Sequence, residues 1–441
     1  MELKPPKVLL ECGLKYDFPP AGTGEAQVRL TDAALELMPK HGKTLTYSYR
    51  DIAQVQAQDY QIILAVEGGE LRLFHLGRQY SDFVRILISQ RNELILTDLL
   101  MQEKVRRAGV AAVCTELADE GEEELGNCEL RLCDTALLII PEYAEPIRLP
   151  LSYISGVSEE GYSLTVNSEA GDYRLRKMGR EFTPFSELLS QAMNELAAKA
   201  QGLLRELAPA AGATAIQQAA RLMGEGRAAK RGELDKIDPG IWKSLELQLD
   251  SAGIKQEYDF LSSATGSKQQ CIGFKRELVA QAGKEYIWFL IPIPEKNIIA
   301  MEASSGPDSG RATYFFKIVP RLAFAKSKPQ ELAGQVDSLL TEINRCMLAI
   351  NFRREPIYLA EEKLLLPRYQ KYRLAVNKIP ELQMLRERFV GRVFHREPEQ
   401  WEQDVKDLLS FILAASDDKK VWAKSDLDSS EEISEDIENG G

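Results

Sequence analysis

Residues 29–94 and 131–196 of this chain are two copies of one pattern, aligned at a constant offset of 102 without a gap, with 20 of 66 positions identical. The densest match pairs Arg29-Leu30-Thr31-Asp32-Ala33-Ala34-Leu35 with Arg131-Leu132-Cys133-Asp134-Thr135-Ala136-Leu137, and ends on Pro39 and Pro141. A later match pairs Gly69 to Leu73 with Gly171 to Leu175, then Gly77-Arg78 with Gly179-Arg180, and Phe83 with Phe185. Such self-similarity sets the unit of folding before any single element is read. About 85 residues can bury a core, so each copy is expected to be a domain.

Within the copies the apolar period is two. Leu35 and Leu37, Leu45 and Tyr47, Ile62 and Leu64, and Leu71 and Leu73 alternate with polar neighbours in the first copy. Leu137 and Ile139, Ile147 and Leu149, Leu164 and Val166, and Tyr173 and Leu175 do so in the second. That is the mark of half-buried strands. The period then becomes helical at Phe83, Ile86, Leu87 and Leu94, and at Phe185, Leu188, Leu189 and Leu196. Antiparallel strands closed by one helix predict a small curved sheet plugged at one end.

This order of strands and helix, with the L-x-D-x-x-L, I-x-x-V and G-x-x-x-L-x-x-x-G-R skeleton of both copies, resembles the pleckstrin-homology-like (PH-like) superfamily, especially its GRAM-like and bacterial PH-like members. The resemblance implies a fold, since superfolds carry many functions. Lipid-binding PH domains grip inositol phosphates with basic residues around the first strand-to-strand loop. The turns taken as equivalent, Thr31-Asp32-Ala33 and Cys133-Asp134-Thr135, are short and acidic, which argues against that use here. Tandem copies with an acidic tail also resemble, in architecture alone, certain eukaryotic histone chaperones.

The expected fold class is α+β: two tandem PH-like curved sheets or partly open barrels, each capped by a C-terminal helix, then a helical connector and an antiparallel-sheet α+β domain with C-terminal helices. The boundaries read as an irregular lead-in at 1–26, copies at 27–108 and 126–202 with an acidic spacer between them, a connector at 203–237, a C-terminal domain at 238–415 and a disordered acidic tail at 416–441. Strands are predicted at Cys271 to Phe274, Tyr286 to Ile291, Ile298 to Met301 and Thr313 to Ile318, followed by helices to about residue 414. Alternate aromatics of Tyr286, Trp288 and Phe289 and of Tyr314, Phe315 and Phe316 face opposite sides of that sheet.

Composition removes several functions. A net charge of −12 argues against nucleic acid as a general partner. Six cysteines without a C-x-x-C pair suit free thiols in a reducing cytoplasm, and the N-terminus lacks the pattern of a secretion signal. Only His41, His75 and His395 are available to a histidine-dependent nucleophile or metal site, so no catalytic residue, metal or cofactor is assigned and the protein is read as no enzyme. No glycine-rich loop ends in the lysine a nucleotide cradle needs.

Two sets of arginines remain as candidate partner-binding residues. Arg78 and Arg180 each follow a glycine at the strand-to-helix junction, where a guanidinium could meet a partner's carboxylate or lie on its own domain's acid or aromatic ring. Arg386, Arg388, Arg392 and Arg396 belong to the segment 353–396, which holds 11 Lys or Arg against 5 Asp or Glu. Such a segment could contact an anionic membrane weakly, or attract the tail, where residues 425–441 hold seven acids and no base. The leading expectation is a cytoplasmic, non-catalytic scaffold that binds a protein partner through the tandem PH-like domains; membrane association is the alternative.

Overall fold

The computed structural model describes residues 6–98, 104–118, 121–265, 269–276, 285–304, 312–326, 328–395, 397–414 and 422. The chain forms two compact units. One comprises residues 1–194 with 361–378; the other comprises 195–360 with 379–441.

The first unit contains both copies. In the first copy β1 (Val8–Phe18), β2 (Gly22–Thr31), β3 (Ala34–Pro39), β4 (Leu45–Ser48), β5 (Gln54–Gln58), β6 (Gln61–Val66) and β7 (Gly69–Phe74) precede helix α1 (Tyr80–Asp98). All pairings are antiparallel, in the order β4-β3-β2-β1-β7-β6-β5. Because β1 pairs with both β2 and β7, the meander curls on itself, which fits a PH-like fold. Inward alternate residues such as Leu14, Val28, Leu37, Leu64 and Leu73 make one core, and α1 adds Phe83, Val84 and Leu87 to it.

The second copy repeats the plan with β8 (Val105–Ala118), β9 (Gly121–Cys133), β10 (Ala136–Pro141), β11 (Ile147–Pro150), β12 (Ile154–Glu160), β13 (Ser163–Ser168), β14 (Asp172–Arg176) and helix α2 (Phe182–Leu207). Its order is β11-β10-β9-β8-β14-β13-β12. The copies also touch each other: Leu96 of α1 packs with Cys133 and Leu138 of the second sheet.

Two segments differ from the sequence reading. Residues 8–18, expected in an irregular lead-in, are β1; their alternation is clean, with Cys12, Leu14, Tyr16 and Phe18 buried between charged or small neighbours. Residues 121–124 of the expected acidic spacer are the start of β9, paired with Thr115 to Ala118. The turns Thr31-Asp32-Ala33 and Cys133-Asp134-Thr135 therefore join the second and third strands, not the first two.

In the second unit β15 (Ala229–Lys230), β16 (Cys271–Arg276), β17 (Glu285–Ile293), β18 (Ile298–Ser304), β19 (Ala312–Lys317) and β20 (Phe389–Phe394) form one antiparallel sheet in sequence order. Strand β20 lies where helices alone were expected. One face buries Phe289, Ile291 and Phe315 beneath the helices Pro239–Ser251 and Pro398–Ala414. The other buries Trp288, whose indole N–H donates to the Gly226 carbonyl at 2.8 Å, so both aromatic faces are packing surfaces. A side chain at Gly273 would occupy the indole's place: its Cβ would lie 2.1 Å from Trp288 Nε1.

The segment read as a connector contributes Ile216, Ala219 and Leu234 to this same core. Trp422, inside the expected tail, is also buried there, and its backbone N–H donates to the Val390 carbonyl at 2.8 Å. The remaining acidic tail lies outside the described residues. Among the described residues, no helix is long and apolar enough to cross a membrane.

Candidate interaction surfaces

The junction from the last strand to the helix is duplicated down to its backbone. His75 and Lys177 have φ of 64° and 60°, and Gly77 and Gly179 have φ of 59° and 58°. The left-handed kink turns the chain from the sheet into a short 3-10 turn carrying Arg78 or Arg180, both exposed. Neither arginine pairs with an acid or lies over a ring among the described residues. The ring at each helix start takes another partner. Tyr60 packs on Tyr80 with centroids 5.2 Å apart, and Tyr162 packs on Phe182 at 5.9 Å. Tyr60 and Tyr162 are nevertheless 75% and 82% exposed. These two tyrosines, equivalent at the offset of 102, were missed in the sequence; their identity within the repeat was the signal that could have found them.

Tyr60 sits on a strained turn. It and Asp59 form the two-residue loop between β5 and β6, with φ of 57° and 51°. Left-handed backbone at both loop residues suits a type I′ hairpin but normally selects Asn and Gly. A bulky residue there is an outlier. Such strain concentrates at functional positions.

Strand β5, beside this turn, is one of the two edge strands of its sheet among the described residues, β4 being the other. Its sequence Gln54-Val55-Gln56-Ala57-Gln58 carries no charge and no proline, and four of its five residues are exposed. Gln58 and Gln61 close the hairpin, and alternate residues of an antiparallel edge point their backbone groups outward. Val55 and Ala57 therefore turn their N–H and C=O groups away from β6. An uncharged open edge is a template for another strand.

The basic segment 353–396 is divided between the two units. Residues 361–378 belong to the first unit, and the rest belongs to the second. In the first unit Arg373 pairs with Asp51 at 2.6 Å and Lys378 with Glu145 at 2.8 Å. Glu145 also receives Arg91 at 2.6 Å; that guanidinium is 1% exposed and donates further to the Ile52 and Ala53 carbonyls. Burial works to raise the Glu145 carboxyl, and Lys378 and Arg91 outweigh it, so it lies below the ordinary carboxylate range.

In the second unit Arg386 donates to the Pro356 carbonyl at 2.6 Å, and Arg388 is half-buried at the end of its helix. Arg392 corrects the reading of a surface cation. It is 3% exposed, on β20, with its guanidinium carbon 3.7 Å from the Tyr358 ring centroid and 4.5 Å from that of Phe394. Arg396 lies outside the described residues. Arg373, Lys378, Arg386 and Arg392 are thus engaged by acids, a carbonyl and rings within their own units.

No protein-family model matches this chain, and no curated protein does. Among solved structures, one described as "Structure of the Spt16D Pob3N heterodimer" is similar over 36% of this chain and 84% of that chain, at 13% identity and a TM-score of 0.16. A score that low carries no argument, and the PH-like description rests on the strand order alone.

Proposed function

We propose that this protein is a non-catalytic scaffold whose first PH-like copy binds an extended segment of a protein partner as an added strand along β5. Strand addition draws its affinity from main-chain hydrogen bonds and its selectivity from flanking side chains. The observation that carries this reading is the strained, exposed Tyr60 at the end of an uncharged open edge. Tyrosine offers a large rigid contact area with a polar tip, a common anchor at interfaces. Arg78, exposed beside Tyr80, supplies a cation for an acidic residue on the bound segment.

The test is affinity capture from native lysate with the full chain and with Ala57→Pro. Proline is tolerated on an edge whose N–H faces solvent, so the variant should keep its fold while losing the added strand. The expected result is a partner that wild type retains and Ala57→Pro releases, with the Val55 and Ala57 amides protected from exchange in the complex. Equal capture by both proteins would remove the edge from the interface.

A further inference from the structure

The second unit contains a group of side chains that scaffold function does not use. Glu257 on the helix Lys255–Ser263, Glu302 on β18 and His395 just after β20 bring one carboxylate oxygen each and a ring nitrogen to within 4.8 Å of one another. His395 Nδ1 lies 3.2 Å from Glu257, and Nε2 lies 2.9 Å from Glu302 Oε1. We propose that these three residues bind a divalent first-row metal ion, of which Zn²⁺ and Mn²⁺ best suit one imidazole and two carboxylates.

Proximity alone would make only an ion triad, and Glu302 takes the argument further. Its side chain is fully buried, a costly place for a carboxylate without a cation. One oxygen, Oε2, is fixed by the Thr313 hydroxyl at 2.8 Å. That hydroxyl accepts the Trp401 indole N–H at 3.2 Å, which leaves its own proton to point at Glu302. The arrangement is that of an outer shell orienting a ligand. The other oxygen, Oε1, has no aligned hydrogen-bond partner, and neither has His395 Nε2, although the two are 2.9 Å apart. Two buried polar atoms that close and out of hydrogen-bond line leave a place for a third atom that both can reach.

Charge and size agree. Two carboxylates around a neutral imidazole carry two negative charges, and one divalent ion neutralises both. Donors of a tetrahedral zinc site, each ~2.0–2.2 Å from the metal, stand roughly 3.4 Å apart; with Nε2 as the ring donor Glu302 Oε1 is near that spacing at 2.9 Å, while Glu257 faces Nδ1 and has to turn toward the ion. The competing arrangement has no metal and is an ion triad of the same three side chains, with His395 between Glu257 and Glu302.

The test uses the full chain without a histidine tag, stripped with chelator and titrated calorimetrically with Zn²⁺ and, separately, Mn²⁺. Saturable uptake of about one equivalent of either is expected. His395→Asn and Glu302→Gln should weaken it by at least about 100-fold, and Thr313→Val by about 10- to 100-fold. His41→Asn and His75→Asn, in the other unit, should leave it unchanged. Circular dichroism of each variant separates lost ligands from lost fold, and the wild-type titration stands by itself if a variant misfolds. No saturable binding of either ion overturns the site and leaves the ion triad. Binding that survives both His395→Asn and Glu302→Gln overturns it equally.

Discussion

The two copies share strand order, helix and kinked junction, yet their edge strands β5 and β12 differ. In the first copy the edge strand β5 is uncharged, pairs with β6 without a register shift and leads into a strained Asp59-Tyr60 turn. In the second, β12 carries Glu159 and Glu160 and its register shifts between Ile154 and Gly156. Charges and irregular register are how natural sheets discourage another strand from pairing. The equivalent turn is relieved by Gly161, whose φ is 60°. Duplication has thus kept the core and divided the surfaces: one copy leaves this edge uncharged, and the other charges it and breaks its register.

The largest expected effect tests the shared part. Phe83 and Phe185 are 0% and 1% exposed, and alanine at either should cost about 3–5 kcal/mol in denaturant unfolding of the full chain. A loss below about 1 kcal/mol at one position would mean that the two helices do not serve their sheets alike.

Arg91 comes next and belongs to the first copy alone, since Met193 stands at the equivalent position. Arg91→Met would strand the Ile52 and Ala53 carbonyls and remove one partner of Glu145. It should cost about 2–4 kcal/mol. A neutral result would make the contact between the copies incidental.

A reciprocal exchange at the turn sharpens the contrast further. Asp59→Gly should stabilise and Gly161→Asp destabilise, each by about 1 kcal/mol, because the left-handed backbone costs a glycine little and an aspartate more. No atom beyond its chain neighbours lies within 4 Å of a Cβ built at Gly161, so the second change reads chiefly the backbone. The same sign for both would mean that the first turn is not strained.

The smallest effect is a pH dependence. The Glu145 carboxyl is held below its unfolded value of about 4.3. Its stabilising contribution is therefore full above that value and is lost as pH falls through the lower folded one. Glu145→Gln should flatten that part of the acid limb of a stability–pH curve. An unchanged limb would show that Lys378 and Arg91 hold the carboxyl too weakly to matter.

The copies were legible in the sequence from Arg29 and Arg131 onward because there the alternation and the repeat reinforce each other. Ahead of those residues the repeat fails. The opening hairpins differ in length and in bulges, 11 and 10 residues in β1 and β2 against 14 and 13 in β8 and β9. Without a second copy for support, β1 looked irregular beside its prolines. Strand β20 was hidden by the helices around it and by arginines that suggested a surface, although Arg392 is in fact wrapped by aromatic rings. Open edges and the Glu257, Glu302 and His395 group arise only from tertiary pairing of distant strands. No local spacing encodes them.

The return of residues 361–378 to the first unit also sets a timetable. Both copies have left the ribosome well before Arg373 and Lys378, which pair with Asp51 and Glu145. At ~5–20 residues per second the remaining ~180 residues take roughly 10–40 s to make. Throughout that interval the nascent first unit exposes the acidic sockets that its own late helix will fill. A chain stopped before residue 361 would leave Asp51 without Arg373 and Glu145 with Arg91 alone.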